Sequence, residues 1–296
     1  MTRILILGAG GMLGHKLVQL WSTKYFVVGT VRKPWAFYDS YEIFDKEHLV
    51  DNVDVGDFAV VENVISRVQP DFIVNCVGVI KQLDAANDPV ATISINSLFP
   101  HKIARLCRAV GARLIHISTD CVFSGNRGMY KETDPPDATD LYGRTKLLGE
   151  VISPHCLTLR TSIIGRELIT RNGLIEWFLQ SGQSEVLGFR RAIYTGLTTI
   201  ELARVLLSIM EAPKWLNGIY QVSSDPISKY ELLLLVRKAY GVSTEIIPTD
   251  TPAIDRSLDS TQFRQKLGYT PPSWPSMIEE MASDKTDYWR KHGSEK

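Results

Sequence analysis

Tyr142-Gly143-Arg144-Thr145-Lys146 puts a phenol and an ammonium four residues apart, the spacing that brings two side chains together on one face of a helix. With 11 Tyr and 15 Lys in 296 residues, about half of one such match arises by chance, and one occurs. Its weight therefore comes from its neighbourhood. Upstream, the apolar run Leu114 to Ile117 reads as a strand whose end carries Ser118-Thr119-Asp120. A carbonyl reduction needs an acid to protonate the developing alkoxide, and an ordinary phenol, with a pKa of about 10, is reluctant at neutral pH. An adjacent Lys146 ammonium would favour the tyrosinate, so the expectation is a lowered pKa for Tyr142, with Thr119 hydrogen-bonding the substrate oxygen.

Such chemistry also needs a hydride donor. Gly8-Ala9-Gly10-Gly11-Met12-Leu13-Gly14 follows the first apolar run and opens a helix patterned by Leu13, Leu17, Val18 and Trp21. The spacing is Gly-x-x-Gly-x-x-Gly at Gly8, Gly11 and Gly14. Read as Gly-x-Gly-x-x-Gly, it would put Leu13 at the third glycine. Such a turn lets backbone approach a pyrophosphate, which the helix N-terminus then stabilises. The second strand ends near Thr30 and continues Val31-Arg32-Lys33, with no carboxylate to take a ribose 2′-hydroxyl. Arg32 beside Lys33 suits a 2′-phosphate, which makes NADP(H) the expected cofactor.

The elements that hold these residues follow one rhythm. Ile4 to Leu7, Phe26 to Val28, Phe72 to Val74, Leu114 to Ile117 and Leu157 to Leu159 alternate with helical segments, which predicts an α/β fold: a Rossmann-type, doubly wound parallel sheet. One helix is expected to begin at Pro100 and end at Gly111. Beyond about residue 165 the rhythm loosens, predicting a smaller C-terminal substrate lobe. The expected division is 1–165 with about 192–212 as the cofactor domain, and about 166–191 with about 213–296 as the lobe. There is no internal repeat.

Lys plus Arg equals Asp plus Glu at 33 each, so no overall field favours nucleic acid or an anionic membrane, and a small molecule is the expected partner. No stretch is long and apolar enough to span a bilayer, and the run Ile4 to Leu7 is too short for a signal peptide. Cys76, Cys107, Cys121 and Cys156 form no close pair and read as free thiols of a cytoplasmic protein. His15, His48, His101, His116, His155 and His292 form no ligand-spaced pair, so no metal is expected, and no Gly-x-Ser-x-Gly elbow marks a hydrolase.

Together these residues resemble the extended short-chain dehydrogenase/reductases, and within them the dTDP-4-dehydrorhamnose reductase group. The matching pieces run nearly the whole chain: Gly8 to Gly14, Val53 to Asp57, Pro70 to Asn75, Ile95-Asn96, Ser118 to Gly125, Tyr142 to Lys146 with Gly149-Glu150, Leu159 to Ser162, and Ser257 to Asp259. The resemblance implies reduction of a 4-keto group on a nucleotide-linked 6-deoxyhexose, with Thr119, Tyr142 and Lys146 in the catalytic places. It implies that Gly8, Gly10, Gly11, Met12, Leu13, Gly14, Arg32, Asp54, Val55, Cys76, Val77, Gly78 and Asn96 lie along the cofactor together with Tyr142 and Lys146, the latter reaching the nicotinamide ribose, and that Thr119, Asp120, Cys121 and Ile163 face the sugar. A homodimer is compatible with it. Arg256 is the expected partner of the nucleotide diphosphate, ahead of Arg190 and Arg191.

The sequence departs from that group at Cys121 and Ile163, where aromatic residues are expected, and across Val79 to Gln82. Losing two aromatic surfaces changes a sugar pocket, so a different 4-keto sugar is an open alternative. A dehydratase would need an acidic residue where Cys121 stands, an epimerase fits poorly with Arg32, and a non-catalytic NADP-binding regulatory subunit would not require the Thr119, Tyr142 and Lys146 set.

Overall fold

The computed structural model describes residues 1–81 and 87–288. Gln82, His292 and the end of the expected lobe from 289 onward lie outside those residues. In chain order the strands are β1 (Arg3–Leu7), β2 (Phe26–Thr30), β3 (Leu49–Val50), β4 (Phe72–Asn75), β5 (Arg113–Ile117), β6 (Cys156–Arg160), β7 (Ile163–Ile164), β8 (Glu185–Phe189), β9 (Ala192–Tyr194), β10 (Leu197–Thr198), β11 (Gly218–Gln221), β12 (Ile227–Ser228), β13 (Glu245–Thr249) and β14 (Ile254–Asp255). The helices are α1 (Gly14–Trp21), α2 (Phe58–Val68), α3 (Pro89–Thr92), α4 (Phe99–Val110), α5 (Leu141–Leu148), α6 (Leu174–Gln180), α7 (Thr199–Glu211), α8 (Lys229–Tyr240), α9 (Thr261–Leu267) and α10 (Trp274–Ala282).

Seven strands form the central sheet in the order β11-β6-β5-β4-β1-β2-β3. Every pairing in it is parallel. Parallel strands are covered on both faces, which is why their sequences read as continuous apolar runs. Along β1 the side chains alternate between two cores. Ile4 and Ile6 join Leu17, Val18 and Trp21 of α1 and Leu202, Val205 and Leu206 of α7. Leu5 and Leu7 join Val61 and Ile65 of α2 and Ile103 and Cys107 of α4. The winding direction reverses between β1 and β4, and in such sheets ligands bind beyond the carboxyl ends of the strands at that reversal.

Two boundaries differ from expectation. Pro100 falls in the first turn of α4, as expected, but the helical run that α4 continues starts earlier, at Pro89, with the Asp88 side chain capping it. A π-helical turn, Ile93–Leu98, links α3 to α4, and its wider hydrogen bonding lets the chain pass through Pro100, which has no N–H to offer, without ending the helix. The predicted end holds: Gly111 caps α4 in the left-handed region at φ 77°. Second, β11, inside the stretch expected to belong to the smaller lobe, is the edge of the central sheet beside β6. Four residues following a Pro-containing turn were too short a run to read as a strand; pairing with β6 makes them one. The rest of the C-terminal half supplies a parallel β8–β13 pair and a three-stranded β12-β9-β14 sheet.

Candidate active site

The glycine turn joins β1 to α1. Gly8 sits at φ +84°, and a Cβ on Gly14 would overlap the Gly8 carbonyl oxygen and come within 2.8 Å of the Ala9 Cα. Glycine at 14 is thus what lets α1 start against the end of β1. The start of α1 has no side-chain cap and no acidic residue in its first turn. Its dipole, with no carboxylate in the first turn to offset it, therefore fits a dinucleotide pyrophosphate beside Gly11, Met12 and Leu13. Gly10 lies against Tyr38 and Ile169, and Met12 against Gly173, so the segment after β7 closes over the turn.

The turn is tied to β2. Gly8 N–H donates to the Thr30 hydroxyl at 3.3 Å, and Ala9 N–H to the Thr30 carbonyl at 2.8 Å. Arg32, two residues on, is exposed, while Lys33 rests over the Phe37 ring at 4.0 Å. An exposed guanidinium at this strand end fits a 2′-phosphate, and the cation of Lys33 is drawn towards an aromatic face. Asp54, exposed after β3, accepts from Gly56 N–H at 2.9 Å, and Val55 is half-buried beside it.

Cys76, Val77 and Gly78 form the loop after β4, with Val77 reaching towards Gly8. Asn75 Oδ1 accepts from Val77 N–H at 3.1 Å. Asn96, in the π-helical turn, clamps the far end: its Oδ1 accepts from Val79 N–H at 2.8 Å, and its Nδ2 donates to the Val79 carbonyl at 3.0 Å and to Thr145 Oγ1 at 3.5 Å. Asn96, expected along the cofactor, thus holds the loop that follows Gly78.

Asp140 caps α5, its Oδ1 accepting from Gly143 N–H at 2.9 Å. That start sets Tyr142 in the first turn, half-buried against Thr119, and Lys146 one turn deeper and buried. Thr119 Oγ1 donates to Asp120 Oδ1 and accepts from Cys121 N–H, both at 3.1 Å. The phenol does not have the lowered pKa expected from the sequence. Burial, and then Cys121, push it above its ordinary value, while Lys146 Nζ donates to the Ile117 carbonyl at 2.7 Å. Burial brings the Lys146 ammonium down to about 8, against the opposing pull of Glu150 and Cys76. Behind it Arg160 forks onto Glu150 at 2.8 and 2.7 Å, and Ser118 donates to the same carboxylate at 2.8 Å.

On the other side of Thr119 lie Asp120 and Cys121. Burial raises the Asp120 pKa, opposed chiefly by Thr119 and then by Arg256. Burial pushes the Cys121 thiol to about 12, so it is a neutral wall and no nucleophile. Arg256, directly after β14, donates Nε to the Phe123 carbonyl at 2.9 Å and stands beside Asp120. Ile163 is half-buried on β7, paired with Leu197 of β10. Arg190 is occupied at the surface, forked onto Asp250 at 2.9 Å through both Nε and Nη2. Sequence reasoning missed Tyr194, which the fold brings beside Asp120, Cys121 and Ser162 from 52 residues beyond Tyr142. It missed equally the ion pair of Lys81 with Asp140 at 2.8 Å. Neither carries a motif. Among the described residues no group of His, Cys, Asp and Glu could hold a metal ion.

The arrangement is that of a family. The model of the RmlD substrate binding domain matches residues 1–286. The chain belongs to this family. Over 300 residues it is 26% identical to a dTDP-4-dehydrorhamnose reductase of Aggregatibacter actinomycetemcomitans, covering 93% of this chain and 96% of that one. It is also 33% identical, over 149 residues, to methionine adenosyltransferase 2 subunit beta of Bos taurus, covering 50% of this chain and 41% of that subunit. The fold matches a solved dTDP-4-dehydrorhamnose reductase of Bacillus anthracis in complex with NADP, with a TM-score of 0.78 and 22% identity, over 95% of this chain and 99% of that one.

Proposed function

We propose that this chain reduces the 4-keto group of a nucleotide-linked 6-deoxyhexose with NADPH, in the cytoplasm. The observation that carries the reading is the placement of Thr119, Tyr142 and Lys146 beyond the carboxyl end of β5, in the same sheet whose β1 end carries the uncapped start of α1. NADPH would supply the hydride there, held by the Gly8 to Gly14 turn, Arg32, Asp54 and the Cys76 to Gly78 loop. With substrate bound, the Thr119 hydroxyl turns its one proton from Asp120 to the substrate carbonyl. Tyr142, kept protonated by its burial, passes its proton to the oxygen as negative charge develops on it, and Lys146 offsets the tyrosinate that remains. Arg256 supports a diphosphate, and Asp120, Cys121 and Ile163 border the sugar.

NADPH oxidation in the presence of nucleotide-linked 4-keto sugars tests this. Wild type is expected to turn over at least one of them, and Tyr142→Phe to lower kcat by at least about a hundredfold, the usual worth of a positioned general acid. Cofactor binding with no turnover on any such sugar would overturn the reading. That outcome would favour a second reading, a non-catalytic NADP-binding subunit, for which the likeness to an adenosyltransferase beta subunit over half the chain speaks.

A further inference from the structure

We infer that Tyr194 recognises the sugar, its hydroxyl hydrogen-bonding a hydroxyl of the hexose ring and its ring forming one wall of the sugar site. The inference rests on the function proposed above, because the ligand is the sugar of that substrate.

Tyr194 is 8% exposed, yet its hydroxyl, itself buried, makes no hydrogen bond of normal geometry. A buried hydroxyl left unpaired costs about 1–3 kcal/mol, and phenylalanine would fill the same space without that cost. The groups around the phenol are Ser162, Asp120 and Cys121, the same residues that border the candidate site beside Thr119. Its direction is fixed from two sides. The ring packs on Trp274 with centroids 5.6 Å apart, and a side chain at Gly196 would overlap the hydroxyl, so the turn between β9 and β10 leaves a notch for it. Strand pairing sets Tyr194 beside Arg256. β9 runs parallel to β14, with Asp255 opposite Ile193, so the residue after each of these partners is Tyr194 on one strand and Arg256 on the other. A phenol, a carboxyl group and small hydroxyls next to one guanidinium suit a polyhydroxylated ring carrying an anionic diphosphate, with the phenol at the ring and the cation at the phosphates.

Protein saturated with NADP+ would be titrated calorimetrically with dTDP-rhamnose, UDP-rhamnose and GDP-rhamnose, and with the three bare nucleoside diphosphates. The quantity read is the gain in affinity that the sugar adds. In Tyr194→Phe that gain is expected to fall about tenfold, the worth of one neutral hydrogen bond, with the bare diphosphate bound as in wild type and the melting temperature held or raised. Gly196→Ala, which pushes the hydroxyl from its notch, should reduce the same gain. An unchanged sugar gain in Tyr194→Phe, an equal loss for the bare diphosphate, or no binding of any sugar nucleotide by wild type overturns the inference. Normal sugar recognition without NADPH oxidation would instead sink the proposed reaction and leave the Tyr194 contact standing.

Discussion

Lys146 is a cation placed where a cation is expensive. It is 5% exposed, and burial lowers its pKa from 10.5 to about 8. In the unfolded chain it holds its proton up to about 10.5, so between about pH 8 and pH 10.5 the unfolded state binds more protons and stability rises with pH. Denaturant unfolding of wild type and Lys146→Met across this window should show a rise in wild type that the variant lacks. The same titration predicts that turnover falls as pH climbs through about 8, because the field that favours the tyrosinate disappears. Thr119, Tyr142 and Lys146 were legible as residues. The direction of the Tyr142 shift was not, since spacing on a helix says which side chains share a face but nothing of how deeply the fold buries them.

The first helix is anchored at its far side by the segment after α10. Lys16, 3% exposed, makes an ion pair with Asp284, which also accepts from the Tyr288 hydroxyl at 2.6 Å; Tyr288 in turn meets His15 at 3.3 Å. His15 is fully buried, and burial lowers its pKa to about 3, so it stays neutral. Arg166, bound to Glu176 at 2.5 Å, lies over the Tyr288 ring at 4.5 Å. Asp284 is held at about 2: burial works against its charge, and the Lys16, Tyr288 and Thr286 contacts outweigh it. Its folded value lies below the unfolded 3.8, so this stabilisation is complete above about pH 4 and is lost as pH falls towards 2. Asp284→Asn should therefore cost about 2 kcal/mol at pH 7 and remove that acid sensitivity, read by thermal denaturation at pH 7 and pH 3. Because α1 also carries the glycine turn proposed to hold the pyrophosphate, the variant is expected to weaken NADPH binding as well. None of these partners was visible in sequence, where residues 16 and 284 lie at opposite ends of the chain.

Over the whole molecule, a ligand that binds only the folded chain raises its stability by RT ln(1 + [L]/Kd), about 2.7 kcal/mol at a hundredfold excess over Kd. NADPH should accordingly raise the melting temperature of wild type by several degrees at a concentration where NADH does little. Arg32→Ala should narrow that difference, and an unchanged NADPH preference in the variant would remove Arg32 from the cofactor assignment.

Two periodicities made the cofactor half readable in advance. Apolar runs of four or five residues separated by amphipathic helices leave a covered parallel sheet as the way to bury both faces, and glycines spaced by three between a strand and a helix leave few alternatives to an anion at the helix start. Local signals of this kind act over a few residues, so they survive in one dimension. β11 at the sheet edge, the commitment of Asn96 to the Val79 loop, the pairing of Arg190 with Asp250, and the arrival of Tyr194 beside Asp120 depend on contacts between residues far apart in the chain, with short strands that gain their identity only from the partner they pair with. Those placements, and the burial that sets the charge states of Tyr142 and Lys146, belong to the tertiary structure.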